Sequence, residues 1–171
     1  MRQFVLGFIA ALALLAVGGL AFLALGLAPV ATSARPLPFE KFLTRMALKA
    51  RVNKEAPKAS PIAASDQVYA DGARLYRNHC AVCHGLPGQA QTAVAKGEFP
   101  QPPELFKGHG VTDDPVGVTF WKVANGIRLT GMPGFRDSLT DEQMWQVSLL
   151  LLNADKLPPA VRASLQEPLP Q

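Results

Sequence analysis

The two cysteines of this 171-residue chain lie three positions apart, at Cys80 and Cys83, and His84 follows them directly. A cysteine pair at this spacing serves three kinds of chemistry: a redox disulfide, half of a zinc site, or covalent attachment of haem. A thioredoxin-like disulfide is expected near a strand–helix–strand pattern, which this sequence does not show. A structural zinc ion requires four nitrogen or sulfur ligands, and His79 and His109 do not form the second ligand pair that it needs.

The histidine next to the cysteine pair favours haem attachment. In a turn of helix, Cys80 and Cys83 project from one face, and His84 lies four residues after Cys80 on the same side. Two thioether bonds can then form at one edge of a porphyrin while the imidazole binds the iron. Cys-x-x-Cys-His is the attachment motif of c-type haem. The sequence therefore predicts one covalently bound haem c, with His84 as the proximal ligand of its iron.

A second axial ligand is expected on the distal side of the iron. Met132 lies in "TGMPGF", where glycines and a proline disfavour regular structure, so the thioether is presented from an irregular loop. Ligation by histidine and methionine is found in cytochromes c and raises the reduction potential. We predict Met132 as the distal ligand. His109, between two glycines, is the competing ligand and would give a bis-histidine haem; its other interpretation is a histidine in a surface loop.

With these motifs the chain resembles the monohaem class I cytochrome c family, of the small bacterial, membrane-anchored type. The resemblance covers residues 66–153 and depends on "LYRNHCAVCHG", "NGIRLTGMPGF" and "LTDEQMWQVSLLL", in that order. It implies an all-α cytochrome c fold that wraps one covalent haem, with the first and last helices crossing. It also implies that a proline carbonyl accepts the imidazole proton of His84, and Pro102 and Pro103 are both candidates. Arg128 is a candidate partner for a haem propionate.

Capping residues and helical spacing indicate the two helices that are expected to cross. Ser65 is available as the N-cap of a helix that ends at the cysteines, and Gly72 within that helix marks a close crossing. Thr140 and Gln143 fit a capping box at the start of the last helix. The side chain of Trp145 is expected to pack on the first helix near Gly72.

A third helix is expected between these two. Asp114 is available as its N-cap and Pro115 as its first residue, and Gly126 ends it. This helix would carry Phe120 and Trp121 toward the haem ring and then release the chain into the methionine loop.

Residues 1–34 are predicted to be a transmembrane anchor. Residues 3–34 contain no charged side chain, and "FVLGFIAALALLAVGGLAFLALGL" supplies 24 consecutive nonpolar residues. A helix of about 20 such residues spans the hydrocarbon core of a bilayer. A secretory signal has a shorter apolar region, which favours an uncleaved anchor, although the small residues of "ATSA" before Arg35 leave a cleaved signal as the alternative.

Two observations on the direction in which the anchor inserts disagree. Arg2 alone precedes the span, whereas Arg35, Lys41, Arg45 and Lys49 follow it, and this distribution would place the following domain in the cytoplasm. Covalent haem attachment instead requires export. We therefore expect a single-pass protein of the cytoplasmic (inner) membrane, with the haem domain facing the periplasm or outer side.

Residues 35–54 are predicted to form a basic amphipathic helix at the membrane surface. Within "PFEKFLTRMALKARVNK", one face carries apolar side chains at helical spacing, and basic residues recur every four positions beside it. The apolar set is Phe39, Phe42, Leu43, Met46, Ala47 and Ala50. An anionic lipid surface or a partner protein would fit this face. The alternative is a solvated helix that packs on its own domain.

The rest of the chain is divided by composition. Residues 55–65 form a Pro/Ala linker that is expected to be a semi-extended tether on which the haem domain swings. The cytochrome c haem domain covers residues 66–157, and residues 158–171 form a C-terminal tail. Residues 1–64 carry 8 basic and 2 acidic side chains, and residues 65–171 carry 9 basic and 11 acidic side chains. Because the basic excess belongs to the membrane end, no nucleic acid partner is indicated.

These expectations together predict an electron-transfer protein rather than an enzyme. It would carry single electrons between redox protein partners of a respiratory or dehydrogenase system on the periplasmic side. A fixed cytochrome subunit of a larger redox complex is the nearest alternative. A haem enzyme or gas sensor is a further alternative, and it would need an open or displaceable sixth ligand position.

Overall fold

The computed structural model describes residues 1–107 and 114–168 of the chain. Every regular element in these residues is a helix, which confirms the all-α prediction. The helices are α1 (Arg2–Ala24), α2 (Glu40–Glu55), α3 (Asp66–His79), α4 (Ala81–His84), α5 (Ala93–Gly97), α6 (Val116–Asn125), α7 (Asp141–Leu152) and α8 (Pro159–Gln166). The chain divides into two compact units, residues 1–40 and residues 41–171.

The first unit is dominated by helix α1, which buries none of its 23 residues. A helix of this length extends about 34 Å, somewhat more than the hydrocarbon core of a bilayer. Of the described helices, α1 alone is long and apolar enough to cross a membrane.

In the second unit, α3 and α7 cross at Gly72, as the sequence predicts. A Cβ atom on Gly72 would lie 2.5 Å from the carbonyl oxygen of Gln146 and 3.1 Å from the Cβ of Leu150. Only a glycine therefore allows the two backbones to approach this closely. The caps of both helices also follow the prediction. The side chain of Ser65 accepts a hydrogen bond from the first turn of α3, and Thr140 begins a complete capping box in α7.

The aromatic contacts of α7 differ from the prediction. The ring of Trp145 stacks on Phe120 of α6, with centroids 4.0 Å apart and planes inclined by 13°. Gln146 and Leu150 occupy the side of α7 that meets Gly72. Because Trp145 is one residue before Gln146, it is rotated by about 100° around the helix and reaches α6 instead. Together these helices enclose one apolar core.

Helix α6 begins one residue later than the sequence predicts. Its N-cap is Pro115, which has no side chain that could cap the helix. The carboxylate of Asp114 instead forms an ion pair with Lys122, with an N···O distance of 2.9 Å. Trp121 points to the end of α2 and not toward the haem ring as predicted, because its indole N–H donates to Glu55 Oε2 at 3.2 Å.

The segment at residues 55–65 is packed against the domain, in contrast to the expected swinging tether. The carbonyl oxygen of Pro57 lies against the Cα of Gly117, in the space that a Cβ there would occupy. Ile62 packs on the core. Val52, three residues before the end of α2, is also buried. Small and proline-rich composition indicated an extended segment here, but composition gives no information on what that segment contacts.

The apolar core continues beyond residue 157 into α8. Val161 and Leu165 are buried in it. Arg77 of α3 holds the end of this segment through the carbonyl oxygens of Ser164, Glu167 and Pro168, at 2.8, 2.6 and 3.2 Å.

Candidate haem site

One largely apolar cavity of about 270 Å³ lies in the second unit, between the end of α3, α6 and the two loops that follow α5 and α6. The four residues that the sequence singles out, Cys80, Cys83, His84 and Met132, all line it. Residues 80–84 and residue 132 are far apart in the sequence, so the fold brings them together. His109, the competing ligand of the sequence analysis, lies outside the described residues.

The cysteines and the histidine share one helical turn. Cys80 ends α3, with its N–H donating to the Tyr76 carbonyl at 2.8 Å. The N–H groups of Cys83 and His84 both donate to the Cys80 carbonyl, at 3.1 and 2.9 Å. These bonds give the three side chains the relative positions that the spacing predicts. The hydroxyl of Tyr76 donates to the Gly85 carbonyl at 2.8 Å and ties the end of this turn back to α3.

The thiols of the pair are held in their neutral form. Burial raises the pKa of Cys80 to about 12, and the nearby Cys83 contributes to the same shift. Burial also raises the pKa of Cys83 to about 11, together with its hydrogen bond and charge interaction with Glu98. At neutral pH both sulfurs of the folded domain therefore carry their protons.

The imidazole of His84 is oriented by a backbone carbonyl. Its Nδ1 lies 2.8 Å from the oxygen of Pro103, and because a carbonyl only accepts, Nδ1 carries the proton. Nε2 then has the free lone pair that a metal ligand needs. Burial lowers the pKa of His84, against smaller opposing effects of the Pro103 hydrogen bond and of Glu98. Of the two prolines that the sequence left open, the structure selects Pro103.

Met132 is positioned by a short hydrogen-bonded loop. The Ile127 N–H donates to the Met132 carbonyl at 3.1 Å. The hydroxyl of Thr130 donates to the Ile127 carbonyl at 2.6 Å and accepts from the Met132 N–H at 3.1 Å. The loop is thereby closed on itself just before the methionine.

Two glycines press this loop against the end of α6. A Cβ atom on Gly126 would lie 2.6 Å from the backbone nitrogen of Gly134, and one on Gly134 would lie 2.9 Å from the carbonyl carbon of Asn125. Gly126 has φ 66° and ψ −174°, a backbone conformation that is essentially restricted to glycine. The position of the methionine thus depends on close backbone packing.

The sequence did not indicate that charged side chains line the cavity wall, among them Glu98, Asp114 and Lys122. Glu98 Oε1 accepts a hydrogen bond from Cys83 Sγ at 3.2 Å, and its other oxygen would lie 2.5 Å from a Cβ on Gly131. The ion pair of Lys122 with Asp114 also lines the cavity. No local pattern marks these residues, because loop closure brings them to the site. Arg128, the expected propionate partner, is exposed and does not line the cavity.

The donor set fits a covalently held haem. Two neutral thiols lie on one turn, an imidazole with a free Nε2 follows them, and a thioether faces the same apolar cavity from a different segment. Histidine and methionine are the axial ligands found in cytochromes c. No group of three or more His, Cys, Asp or Glu side chains in residues 1–107 and 114–168 is arranged to hold a bare metal ion.

Comparison with known proteins identifies the domain. Residues 67–149 match the family model for subunit III of cbb3-type cytochrome c oxidase. A solved structure of the Kuenenia stuttgartiensis reducing HAO-like protein complex Kustc0457/Kustc0458 is similar in fold, with a TM-score of 0.50 and 18% sequence identity. The match covers 58% of this chain and 49% of that chain, so it spans about half the length of that structure. Among curated proteins, no sequence matches this chain. Together with the all-helical fold, the family match indicates that residues 67–149 form a c-type cytochrome domain, consistent with the monohaem class I family.

Proposed function

We propose that the chain is a membrane-anchored monohaem cytochrome that carries single electrons between redox proteins on the periplasmic side of the inner membrane. The observation that supports this most directly is the convergence of the Cys80–His84 turn and the Met132 loop on one cavity. The chain has one Cys-x-x-Cys-His motif, which supports a single haem.

In this proposal four side chains hold the haem. Cys80 and Cys83 would hold the porphyrin through thioether bonds, and His84 Nε2 and the Met132 thioether would bind the iron. When bound, a haem c supplies reversible one-electron exchange between ferric and ferrous iron. The contribution of the protein is to keep both ligands in place, so that little has to move when the electron arrives or leaves.

The surroundings of each ligand fit that task. The Pro103 carbonyl keeps the proton on His84 Nδ1 and so keeps Nε2 available to the iron. On the other side, Thr130 and the glycine contacts restrain the loop of Met132. A restrained sixth ligand excludes small molecules from the iron, which distinguishes an electron carrier from a haem enzyme or gas sensor.

Membrane attachment is assigned to α1. Its residues from Phe4 to Ala24 are apolar, and none of its 23 residues is buried within the chain, so a bilayer is the environment that would satisfy them. Because haem attachment follows export, the haem domain would face the periplasm. The mature protein should then sediment with membranes after a carbonate wash, whereas a mature N-terminus at Arg35 would show that a signal had been cleaved.

The family match supports a second candidate function. The matching model is described as subunit III of cbb3-type cytochrome c oxidase, so the chain could be a fixed subunit of a redox complex instead of a free carrier. Purification from membranes in a mild detergent distinguishes the two. A fixed subunit co-purifies with other haem or metal proteins in constant proportion, and a free carrier elutes alone.

The test of the carrier assignment is the sixth ligand. The ferric protein should show the weak near-infrared band of sulfur-to-iron charge transfer, and the ferrous protein should bind carbon monoxide poorly. Met132→Ala should abolish the band, open the iron to carbon monoxide and lower the reduction potential. His109→Ala should leave all three properties unchanged. Ready binding of carbon monoxide by the unsubstituted protein would instead favour an enzyme or sensor.

A further inference from the structure

Helix α2 is docked on the haem domain along one side. Val52 is only 3% exposed and Leu48 is half-buried on the same side of the helix. At one end, Lys41 Nζ lies 5.9 Å from the centroid of the Phe99 ring. At the other end, Glu55 accepts the hydrogen bond from Trp121. From Lys41 to Glu55, α2 therefore belongs to the same body as the cavity.

The side of α2 that faces away from the domain is apolar. Phe42, Leu43 and Met46 are 64%, 53% and 54% exposed. At 100° per residue, Phe42, Met46 and Leu43 lie about 80°, 120° and 180° from Val52 around the helix, so they extend from beside the docked side to the side opposite it. We refer to Phe42, Leu43 and Met46 as the α2 stripe. The helix thus buries one apolar side in its own domain and leaves a second one uncovered.

Basic side chains flank the α2 stripe. Arg45 and Lys49 lie along one edge of it and Lys54 near the other, and all three are exposed. Five basic and two acidic residues occur in α2, and one of the acidic residues, Glu55, is already paired with Arg51 at 2.7 Å. An apolar stripe with cations at its edges fits a surface that is apolar below and anionic above, which is the interface of a bilayer containing acidic phospholipid.

The chain places such a surface within reach of α2. Helix α1 ends at Ala24 and α2 begins at Glu40. The 15 intervening residues can extend over at most about 50 Å. If α1 crosses a bilayer, α2 is therefore tethered close to that surface at high effective concentration. A soluble partner has no comparable advantage in competing for the stripe.

We propose that the α2 stripe lies in the interface of the bilayer that α1 crosses, with Arg45 and Lys49 at the level of anionic headgroups. This inference rests on the proposed function in one respect, the membrane anchor. Its consequence is that α2 connects lipid to protein, because its opposite side is docked on the haem domain. The domain is then held at the membrane in one orientation and does not swing on a tether.

A spin-label experiment on the full-length holoprotein tests this arrangement. Met46→Cys and, as a matched control, Arg162→Cys each receive a nitroxide; Arg162 is exposed on α8, away from α2. The proteins are placed in nanodiscs of phosphatidylcholine and phosphatidylglycerol, seven parts to three. The haem is reduced so that its iron is diamagnetic. Power saturation then compares collisions with oxygen, which concentrates in lipid, and with a nickel chelate, which stays in water.

At position 46 we expect a higher oxygen-to-nickel collision ratio than at position 162. Equal ratios at the two positions in protein that has entered the nanodiscs would overturn the proposal. Protection of position 46 from nickel in native membranes but not in nanodiscs would do the same, because it would mean that a protein partner covers the stripe.

The proposed attraction of Arg45 and Lys49 to anionic headgroups is tested by changing the lipid composition. Moving the Met46→Cys protein from pure phosphatidylcholine to the anionic mixture should increase the ratio at position 46. Combining Met46→Cys with Arg45→Gln and Lys49→Gln should reduce that increase. An increase that is the same with and without these cations would contradict their assigned role.

Failure of the proposed function would be recognised separately. The unsubstituted chain should take up no label, because both native cysteines are thioethers. Labelling of that chain would contradict haem attachment but not the α2 assignment. A chain that does not enter the nanodiscs at all would contradict the anchor, and the α2 proposal would fall with it.

Discussion

The two sides of the proposed haem cavity are built in different ways. On the proximal side, residues 80–84 form a single helical turn whose hydrogen bonds converge on the Cys80 carbonyl. On the distal side, Met132 lies in a loop whose position depends on contact between Gly126 and Gly134. A ligand on a regular turn is specified by consecutive residues, whereas a ligand on a loop is specified by packing. We therefore expect the distal side to be the more easily disturbed.

Each side of the cavity has a helix that ends at a glycine with positive φ, and this pair allows the sensitivity of the two sides to be compared. Gly85 ends α4 with φ 73° and ψ 175°, and Gly126 ends α6 with φ 66° and ψ −174°. These are nearly the same conformation. A Cβ atom on Gly85 would meet nothing within 4 Å, but one on Gly126 would lie 2.6 Å from the backbone of the methionine loop. The same substitution at both positions thus separates backbone strain from displacement of the ligand.

The largest effect is expected when the proximal side loses its attachment points. The double variant Cys80→Ala, Cys83→Ala should contain no covalently bound haem, because no sulfur remains to form a thioether. Extraction with acid and acetone, followed by mass spectrometry of the protein, measures this directly. The unsubstituted protein should retain its haem through the same extraction, and release of all its haem would refute the attachment.

The glycine pair gives the next largest effect. Gly85→Ala should cost roughly 1–3 kcal/mol of unfolding free energy from backbone strain and keep the near-infrared band of methionine ligation. Gly126→Ala carries similar strain and must also displace the Met132 loop, so it should lose the band and bind carbon monoxide. Gly97→Ala, at a site with open space and no positive φ, serves as the neutral control. Retention of the band in Gly126→Ala would contradict the role of this packing.

Two threonines allow a finer comparison of the two sides. Thr130 joins Ile127 to the Met132 N–H on the distal side. Thr92 on the proximal side caps α5 and donates to the Val82 carbonyl. Thr130→Val and Thr92→Val should each cost about 1 kcal/mol, a decrease of roughly 4–8 °C in Tm for a domain of this size. Only Thr130→Val should increase the rate of carbon monoxide binding; equal rates in both variants would mean that this hydroxyl does not restrain the methionine.

The smallest predicted effect concerns the charge in the cavity wall. Removing the negative charge in Glu98→Gln should favour ferrous iron and raise the midpoint potential by roughly 20–40 mV, equivalent to about 0.5–1 kcal/mol. Glu142→Gln is the matched control, because Glu142 is exposed at the start of α7 and does not line the cavity. Redox titration of the three proteins at one pH gives the answer. Identical potentials for Glu98→Gln and Glu142→Gln would show that Glu98 does not act on the haem.

Sequence reasoning predicted the features that depend on neighbouring residues. The helix caps at Ser65 and Thr140 and the apolar helix α1 follow from propensity and spacing, and the all-α class was implied by the family resemblance. The role of Gly72 at a helix crossing was also predictable, because the family resemblance implied that the first and last helices cross.

What the sequence could not predict depends on contacts between distant residues. Pro102 and Pro103 are equivalent in the sequence, and only the folded loop shows that Pro103 meets His84. Glu98 reaches the cavity by loop closure, without any periodic signal. In α2, an apolar residue at 52 and an apolar residue at 46 look alike, although the first is buried and the second exposed. The sequence likewise did not indicate that Trp145 stacks on Phe120 of α6, because this contact also joins distant residues.

The contacts of Arg77 have a consequence for the order of events during synthesis. Arg77 lies three residues before Cys80, and the carbonyls to which it donates are synthesised 87 to 91 residues later. A chain that is still emerging cannot make these bonds, nor can it bury Val161 and Leu165. The helix that ends at Cys80 therefore stays incompletely covered until those later residues have been synthesised. Under the proposed function, this order of synthesis leaves an interval in which haem can be attached before the core closes.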